Sequence, residues 1–270
     1  METTLYGRFL ALLGGISTLL LFLLFKSFME KLMRLNCILS SYAFALFWGT
    51  IALFTLPSLL IYFILYPFMK NPQDVFQALS ATIYKIFFRL LPVVKLDFQL
   101  SDALPDGAIY ISTHQSSLDY PILGSFIKRY LTITNLNFTR IPFASYVGKL
   151  IGARSINKNN LGEIAATYQE FEALLNNNRN IIIFPEGTRS DGITLGKFKK
   201  GAFRLAIKTN KPLIPIIING SAKLLAKGDP CFKTTQPTTI SIKMLAPIYP
   251  HDYKDETELL NYAHAIMQYK

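Results

Sequence analysis

The sequence predicts an α/β fold: a mixed, largely parallel central sheet flanked by helices, preceded by N-terminal membrane helices. Three observations predict it. Short runs rich in β-branched residues recur after residue 92: VVKLDFQL (93–100), AIYIST (108–113), LTITNL (131–136), NIIIFP (180–185), LIPIII (213–218) and TTISIKML (238–245). Helical patterns alternate with them at 73–91, 161–178 and 255–269, and strands alternating with helices build parallel sheets through crossover connections. The first 70 residues, finally, hold two long apolar runs without a charge, and no run after Met69 approaches their length.

The first of those runs, FLALLGGISTLLLFLLF at 9–25, rises to roughly 25 Å as a helix, marginal for a bilayer span. The second, at 37–69, is more than long enough, although Pro57 kinks or breaks it. Its Trp48, Tyr42, Tyr62 and Tyr66 suit lipid interfaces. The alternative for either run is a buried core helix. LFKSFMEK follows the first run without a small-residue cleavage site, which argues against a signal peptide. Lys26, Lys31 and Arg34 between the runs, against Arg8 before them, favour a cytoplasmic segment at 26–36. Residues 1–70 are therefore expected to anchor the protein and residues 71–270 to form a separate α/β domain.

In the helical pattern at 73–91, Val75, Leu79, Ile83, Ile86, Phe87 and Leu90 recur at helical spacing, with Lys85 and Arg89 elsewhere on its surface. The composition narrows the function. Half of the residues are hydrophobic (51%) and few are charged (17%), which excludes intrinsic disorder. Yet the net charge is +11. Eight of those charges sit in residues 179–233, where 11 Lys or Arg face 3 Asp or Glu. No groove-binding or base-stacking module accompanies the patch, so no nucleic acid is expected, and anionic lipid head groups or a phosphorylated molecule fit better. Two cysteines, Cys37 and Cys231, argue against a disulfide framework or a cysteine zinc site, and three scattered histidines against a metal cluster. No metal and no cofactor are expected.

Two stretches carry chemistry. STHQSSLD (112–119) follows a strand, and ligands of α/β sheets bind beyond the carboxyl ends of strands. On one continuous helix, His114 and Asp119 would lie too far apart around the axis to touch. They meet if His114 lies in the loop and Asp119 in the first helical turn. The carboxylate then takes Nδ1–H and leaves Nε2 as a general base. The alternative is that Ser116 to Asp119 form a capping box. The second stretch, IIIFPEGTRSDGITLGKFKKGAFRLA (181–206), runs from a buried strand into a turn. Gly187 permits close approach or positive φ, and Arg189 offers a planar fork for a phosphate. A capped helix start or a surface Glu186–Arg189 pair are the plain alternatives.

Together these stretches resemble the glycerolipid acyltransferases typified by 1-acyl-sn-glycerol-3-phosphate acyltransferase. The family's N-H-x-x-x-x-D block is met by Thr113 to Asp119, its F-P-E-G-T-R-S block in full by Phe184 to Ser190, and its apolar block around a proline by Pro212 to Ile216. The resemblance covers roughly residues 75–250. It implies that His114 and Asp119 are catalytic and that Lys158, Glu186, Gly187, Thr188 and Arg189 bind substrate. It further implies transfer of an acyl chain from acyl-CoA or acyl-carrier protein to a lysophospholipid acceptor at a lipid bilayer, most directly to 1-acyl-sn-glycerol-3-phosphate.

This chain also departs from the family. Thr113 stands for the family's asparagine. In the second block Asn135 and Asn137 replace lysine and glutamate, and Lys158 replaces arginine. That block is associated with the acceptor's phosphate, so Arg140, Arg154, Lys128 or Arg129 would have to compensate, or a different lysolipid, such as a lyso-ornithine lipid, would be the acceptor. A lipid hydrolase or thioesterase using the same pair is a further alternative, against which the missing G-x-S-x-G elbow speaks. A non-catalytic lipid-binding protein is the third. Neither cysteine is a credible nucleophile. Soluble thioester donors are cytosolic, so the catalytic domain is expected on the cytoplasmic side of the membrane.

Overall fold

Every central strand is apolar on both faces, and a strand turns successive side chains to opposite faces. Such strands need a layer on each side. In the computed structural model, which describes residues 35–43, 45, 71–101, 105–135, 148, 151–157, 159–229 and 231–268, seven strands form one sheet: β1 (Val94–Gln99), β2 (Ile109–Ser112), β3 (Tyr130–Asn135), β4 (Ala153–Ile156), β5 (Asn180–Ile183), β6 (Leu213–Asn219) and β7 (Thr238–Met244). Their order is β1-β7-β6-β2-β5-β3-β4. Every neighbouring pair is parallel except β6 and β7.

One face of the sheet, with Tyr110, Ile182, Ile214, Ile216, Ile240 and Ile242, packs on α1 (Pro72–Leu90) and the short α2 (Asp119–Gly124) through Phe87, Phe88, Ile122 and Leu123. The other face, with Ile109, Ile111, Leu131, Ile181, Ile183 and Leu213, packs on α3 (Leu161–Asn176), α4 (Gly201–Thr209) and α6 (Glu256–Ile266). The alternation of Ile109, Tyr110 and Ile111 between the two cores is the period of two at work. A further short helix, α5 (Ser221–Leu224), follows β6. Local signals mark the helix ends. Asn160 caps α3 by accepting Glu163 N–H, and Asp255 caps α6 by accepting the N–H groups of Thr257 and Glu258. Asn210 closes α4 in the left-handed conformation.

Six strands and three long helices fall where the sequence places them. β4 and α4 do not follow from it. β4 is a four-residue edge strand whose middle residues, Arg154 and Ser155, are half-exposed, so it shows neither an apolar run nor a clean alternation. α4 hides in the basic motif: Ala202, Phe203, Leu205 and Ala206 are buried while Arg204 and Lys208 face solvent.

The run at 9–25 and most of that at 37–69 lie outside the described residues, and so do nearly all of the expected anchoring residues 1–70. Among the described residues no helix is long and apolar enough to cross a membrane. The helical stretch at 35–43 is described, and it corrects the reading of the cysteines. Cys37 and Cys231 form a disulfide across 194 positions, with Cα atoms 5.0 Å apart. The stretch lies beside the loop after α5: Asn36 Nδ2 donates to the Lys233 carbonyl (3.1 Å), the Phe232 N–H donates to Ser40 Oγ (2.6 Å), and Ala43 and Phe232 share the core. A pairing made by tertiary docking over such a separation leaves no mark in cysteine spacing.

Candidate active site

The site forms at the carboxyl ends of β2, β5 and β6, the three central strands. β2 ends at Ser112 and Thr113 is buried. The Thr113 hydroxyl donates to the Ile218 carbonyl (3.0 Å) and accepts the Ile218 N–H (2.9 Å), pinning the exit of β2 to β6. A threonine hydroxyl, with one donor and free lone pairs, satisfies both groups.

His114 follows in the loop, and Asp119 opens α2. The five-residue spacing becomes a contact because the chain wraps around the carboxylate. Asp119 Oδ2 accepts the N–H groups of Gln115 and Ser116, each at 2.7 Å, and His114 Nδ1 lies 2.9 Å away. Oδ1 accepts from Ser221 Oγ at 2.7 Å. The Asp119 side chain is fully buried and the His114 side chain 20% exposed, so the pair is oriented from inside and presented outward. The capping-box alternative is present as well: Asp119 Oδ2 takes the Ser116 N–H and Ser116 Oγ accepts the Leu118 N–H (3.2 Å), so one carboxylate both starts α2 and orients the imidazole. A carboxylate offers only acceptors, so the imidazole nitrogen facing it donates, and Nε2 has no hydrogen-bond partner among the described residues.

The Phe184-to-Ser190 turn closes over this loop. The Phe184 ring stacks on the imidazole with centroids 4.0 Å apart and planes at 22°. Glu186 is buried, its Oε1 accepting the His114 N–H (2.9 Å) and its Oε2 the Gly196 N–H (3.0 Å). Burial pushes its carboxyl above the ordinary range, against those two hydrogen bonds, which favour the charged form. Gly187 adopts φ +67°, a left-handed conformation that calls for glycine, and the end of the Lys199 side chain lies against it. Thr188 Oγ1 accepts from Lys227 Nζ (2.9 Å), and Arg189 Nη1 donates to Ser117 Oγ (2.8 Å). Ser190 N–H returns to the His114 carbonyl at 2.7 Å.

His114, Asp119, Glu186, Gly187, Thr188 and Arg189 thus converge on one rim of the sheet. Lys158 lies outside the described residues, as does Arg140. Of the other cations considered as compensation, Arg154 is spent on Glu170, at 2.7 to 3.1 Å. Arg129 sits before β3, at the opposite edge of the sheet, near Asp74 and Asp106. Three site residues are not singled out by the sequence. Ser221 reaches Asp119 from 102 positions away. Gln115 Oε1 accepts the Gly220 N–H (3.2 Å) and ties the histidine loop to the end of β6. Lys227 belongs to no motif. Gln115 and Phe184 lie inside the two quoted motifs, but nothing in the sequence assigns them these contacts.

An open α/β sheet with a His–Asp pair at its carboxyl edge, faced by a basic turn, is the arrangement of an acyltransferase domain, and residues 95–219 match the Acyltransferase family. The 1-acyl-sn-glycerol-3-phosphate acyltransferase of Escherichia coli (strain K12) is 31% identical over 209 residues, 74% of this chain and 81% of that protein. The chloroplastic 1-acyl-sn-glycerol-3-phosphate acyltransferase BAT2 of Brassica napus is 32% identical over 142 residues, 52% of this chain and only 41% of that longer protein. The crystal structure of the 1-acyl-sn-glycerophosphate (LPA) acyltransferase PlsC from Thermotoga maritima shares the fold, with a TM-score of 0.71 at 21% identity, over 87% of this chain and 94% of that one. The chain belongs to the glycerolipid acyltransferase family.

Proposed function

We propose that this protein is a membrane-attached O-acyltransferase. It moves a fatty acyl chain from a thioester, acyl-CoA or acyl-carrier protein, to the free hydroxyl of 1-acyl-sn-glycerol-3-phosphate and yields phosphatidic acid. The observation that carries the reading is the His114–Asp119 pair: Nδ1 engaged at 2.9 Å, Nε2 without a partner among the described residues, and the carboxylate held by three further donors. A thioester is already activated, so the acceptor hydroxyl attacks its carbonyl carbon directly. His114 Nε2 takes the hydroxyl proton as the C–O bond forms, and Asp119 stabilises the imidazolium. As the tetrahedral intermediate collapses, the C–S bond breaks and the departing thiolate receives that proton. Phe184, stacked on the ring, adds a π face to the cationic state. Donors of the Gly187–Arg189 turn offset the oxyanion charge.

Attachment to the membrane rests on the two uncharged runs and on the helical stretch at 35–43. Its exposed Leu35, Ile38 and Tyr42 share one face by helical spacing, while Asn36 and Ala43 are buried against the domain. Residues 1–70 act as the anchor and 71–270 as the catalytic domain, which faces the cytoplasm, where the thioester donors are.

The test is acyl transfer by purified full-length protein in detergent, with radiolabelled lysophosphatidic acid and each donor in turn. Phosphatidic acid forms with the natural chain and not with His114→Ala. Full activity in that variant overturns the mechanism. Transfer to a lyso-ornithine lipid but not to lysophosphatidic acid moves the acceptor, and free fatty acid released without any acceptor points to hydrolysis.

A further inference from the structure

We infer that Lys227, together with Arg189, holds the phosphomonoester of the acceptor, and that Lys227 supplies the positive charge that the second block of this chain lacks. The inference rests on the function proposed above and concerns the acceptor side of the same site. Lys227 Nζ donates to Thr188 Oγ1 at 2.9 Å. The next residue, Arg189, reaches the other way, to Ser117 in the loop between His114 and Asp119 (2.8 Å). Lys227 is thus held at the residue next to Arg189 in the turn. Neither forms an ion pair among the described residues. The turn's own carboxylate, Glu186, is directed inward to the N–H groups of His114 and Gly196 and neutralises nothing on the outer side. Lys199, whose chain lies against Gly187, adds a third cation. Two or three unpaired cations around exposed hydroxyls are donors waiting for an anion, and a phosphate dianion is the anion such a set fits.

The position of Lys227 is set by the fold. Its loop starts where Leu224 is buried and is turned by Asp229, whose carboxylate accepts the Ala226 N–H at 2.9 Å. It is then tied back by Lys233 N–H to the Leu224 carbonyl (2.9 Å) and held by the side chains of Asn36 and Ser40. The helical stretch at 35–43 thereby holds the loop that carries the lysine. Phosphate groups enter the proposed reaction on both substrates, the acceptor's phosphomonoester and those beyond the donor's pantetheine arm. The acceptor's is the one that fits. In a lysophosphatidic acid only a few covalent bonds separate the free hydroxyl from the phosphorus, and the turn that carries Thr188 and Arg189 is bonded directly to the histidine loop through Ser190. The donor's phosphates lie a full pantetheine arm from its thioester.

The experiment compares Lys227→Met and Lys227→Arg with the natural chain, full length in mixed micelles, varying 1-acyl-sn-glycerol-3-phosphate at saturating donor and then the donor at saturating acceptor. A parallel arm measures equilibrium binding of the same lysolipid without donor. Loss of one charge-assisted contact raises the acceptor KM about tenfold in Lys227→Met, with kcat and donor KM changed less than about twofold. Lys227→Arg restores most of the affinity, and binding without donor weakens in parallel. Lys227 is exposed, so the thermal midpoint does not move. An unchanged acceptor KM alongside normal turnover overturns the inference and leaves the proposed function standing, and so does a rise confined to donor KM. Weaker lysolipid binding in Lys227→Met, with no turnover by any variant or the natural chain, keeps the anion site and overturns the proposed function.

Discussion

Asp119→Asn probes the pair with the least change in shape. The amide has to fit a pocket in which Oδ2 meets three donors, His114 Nδ1 and the N–H groups of Gln115 and Ser116, and Oδ1 meets one, Ser221 Oγ. Placing the NH2 group at the first position sets it against two backbone N–H groups, each left unsatisfied at about 1–3 kcal/mol. Placing it at the second asks only that the Ser221 hydroxyl turn and accept, which a hydroxyl can do. The amide oxygen therefore stays on the histidine side, the tautomer survives, and the charge that stabilises the imidazolium is lost. General-base catalysis contributes about a hundredfold to ten-thousandfold. With the tautomer kept, the loss falls at the lower end, about a hundredfold in kcat or about 2.7 kcal/mol. The assay is kcat at saturating lysolipid and donor, with the thermal midpoint as a check on folding. A kcat within about threefold of the natural chain, while His114→Ala abolishes turnover, refutes the role of the carboxylate. Because the two residues act as one unit, the double variant is expected to be no worse than His114→Ala alone.

Three more outcomes follow from the same contacts. Ser221→Ala removes a hydrogen bond to a buried carboxylate, and stability falls by about 1.5–3 kcal/mol in a denaturant titration with kcat reduced but not abolished. Glu186 has its pKa raised above 4.5 in the folded protein, so the fold binds its proton more tightly than the unfolded chain does; its contribution to stability is complete below pH 4.5 and is lost as pH rises through the raised value. Glu186→Gln therefore flattens the plot of thermal midpoint against pH just above 4.5, and an unchanged slope contradicts the assignment. Cys231→Ser opens a loop of 194 positions and lowers stability by about 2–4 kcal/mol, visible as a difference in thermal midpoint between natural chain and variant that vanishes under reductant.

What the sequence disclosed and what it withheld divide along one physical line. Runs such as NIIIFP and LIPIII announce strands because a strand buried on both faces has to be apolar throughout. His114 and Asp119, five residues apart, announce a loop wrapped around a carboxylate because local geometry allows no other contact. Such features are set within a few residues. Ser221, Lys227 and the Cys37–Cys231 pair are set by where β6 and the helical stretch at 35–43 dock, and their partners lie 102, 39 and 194 positions away. No spacing rule reaches that far. The same line runs through the site itself. Its chemical pair and its turn come from two local motifs, whereas Ser221 and Lys227 arrive from the segment after β6. That segment lies between the catalytic rim and the chain that leads to the apolar run. Within that segment Ser221 is bound to the His–Asp pair, whereas Lys227 contacts Thr188, so exchanging this lysine leaves the His–Asp geometry in place.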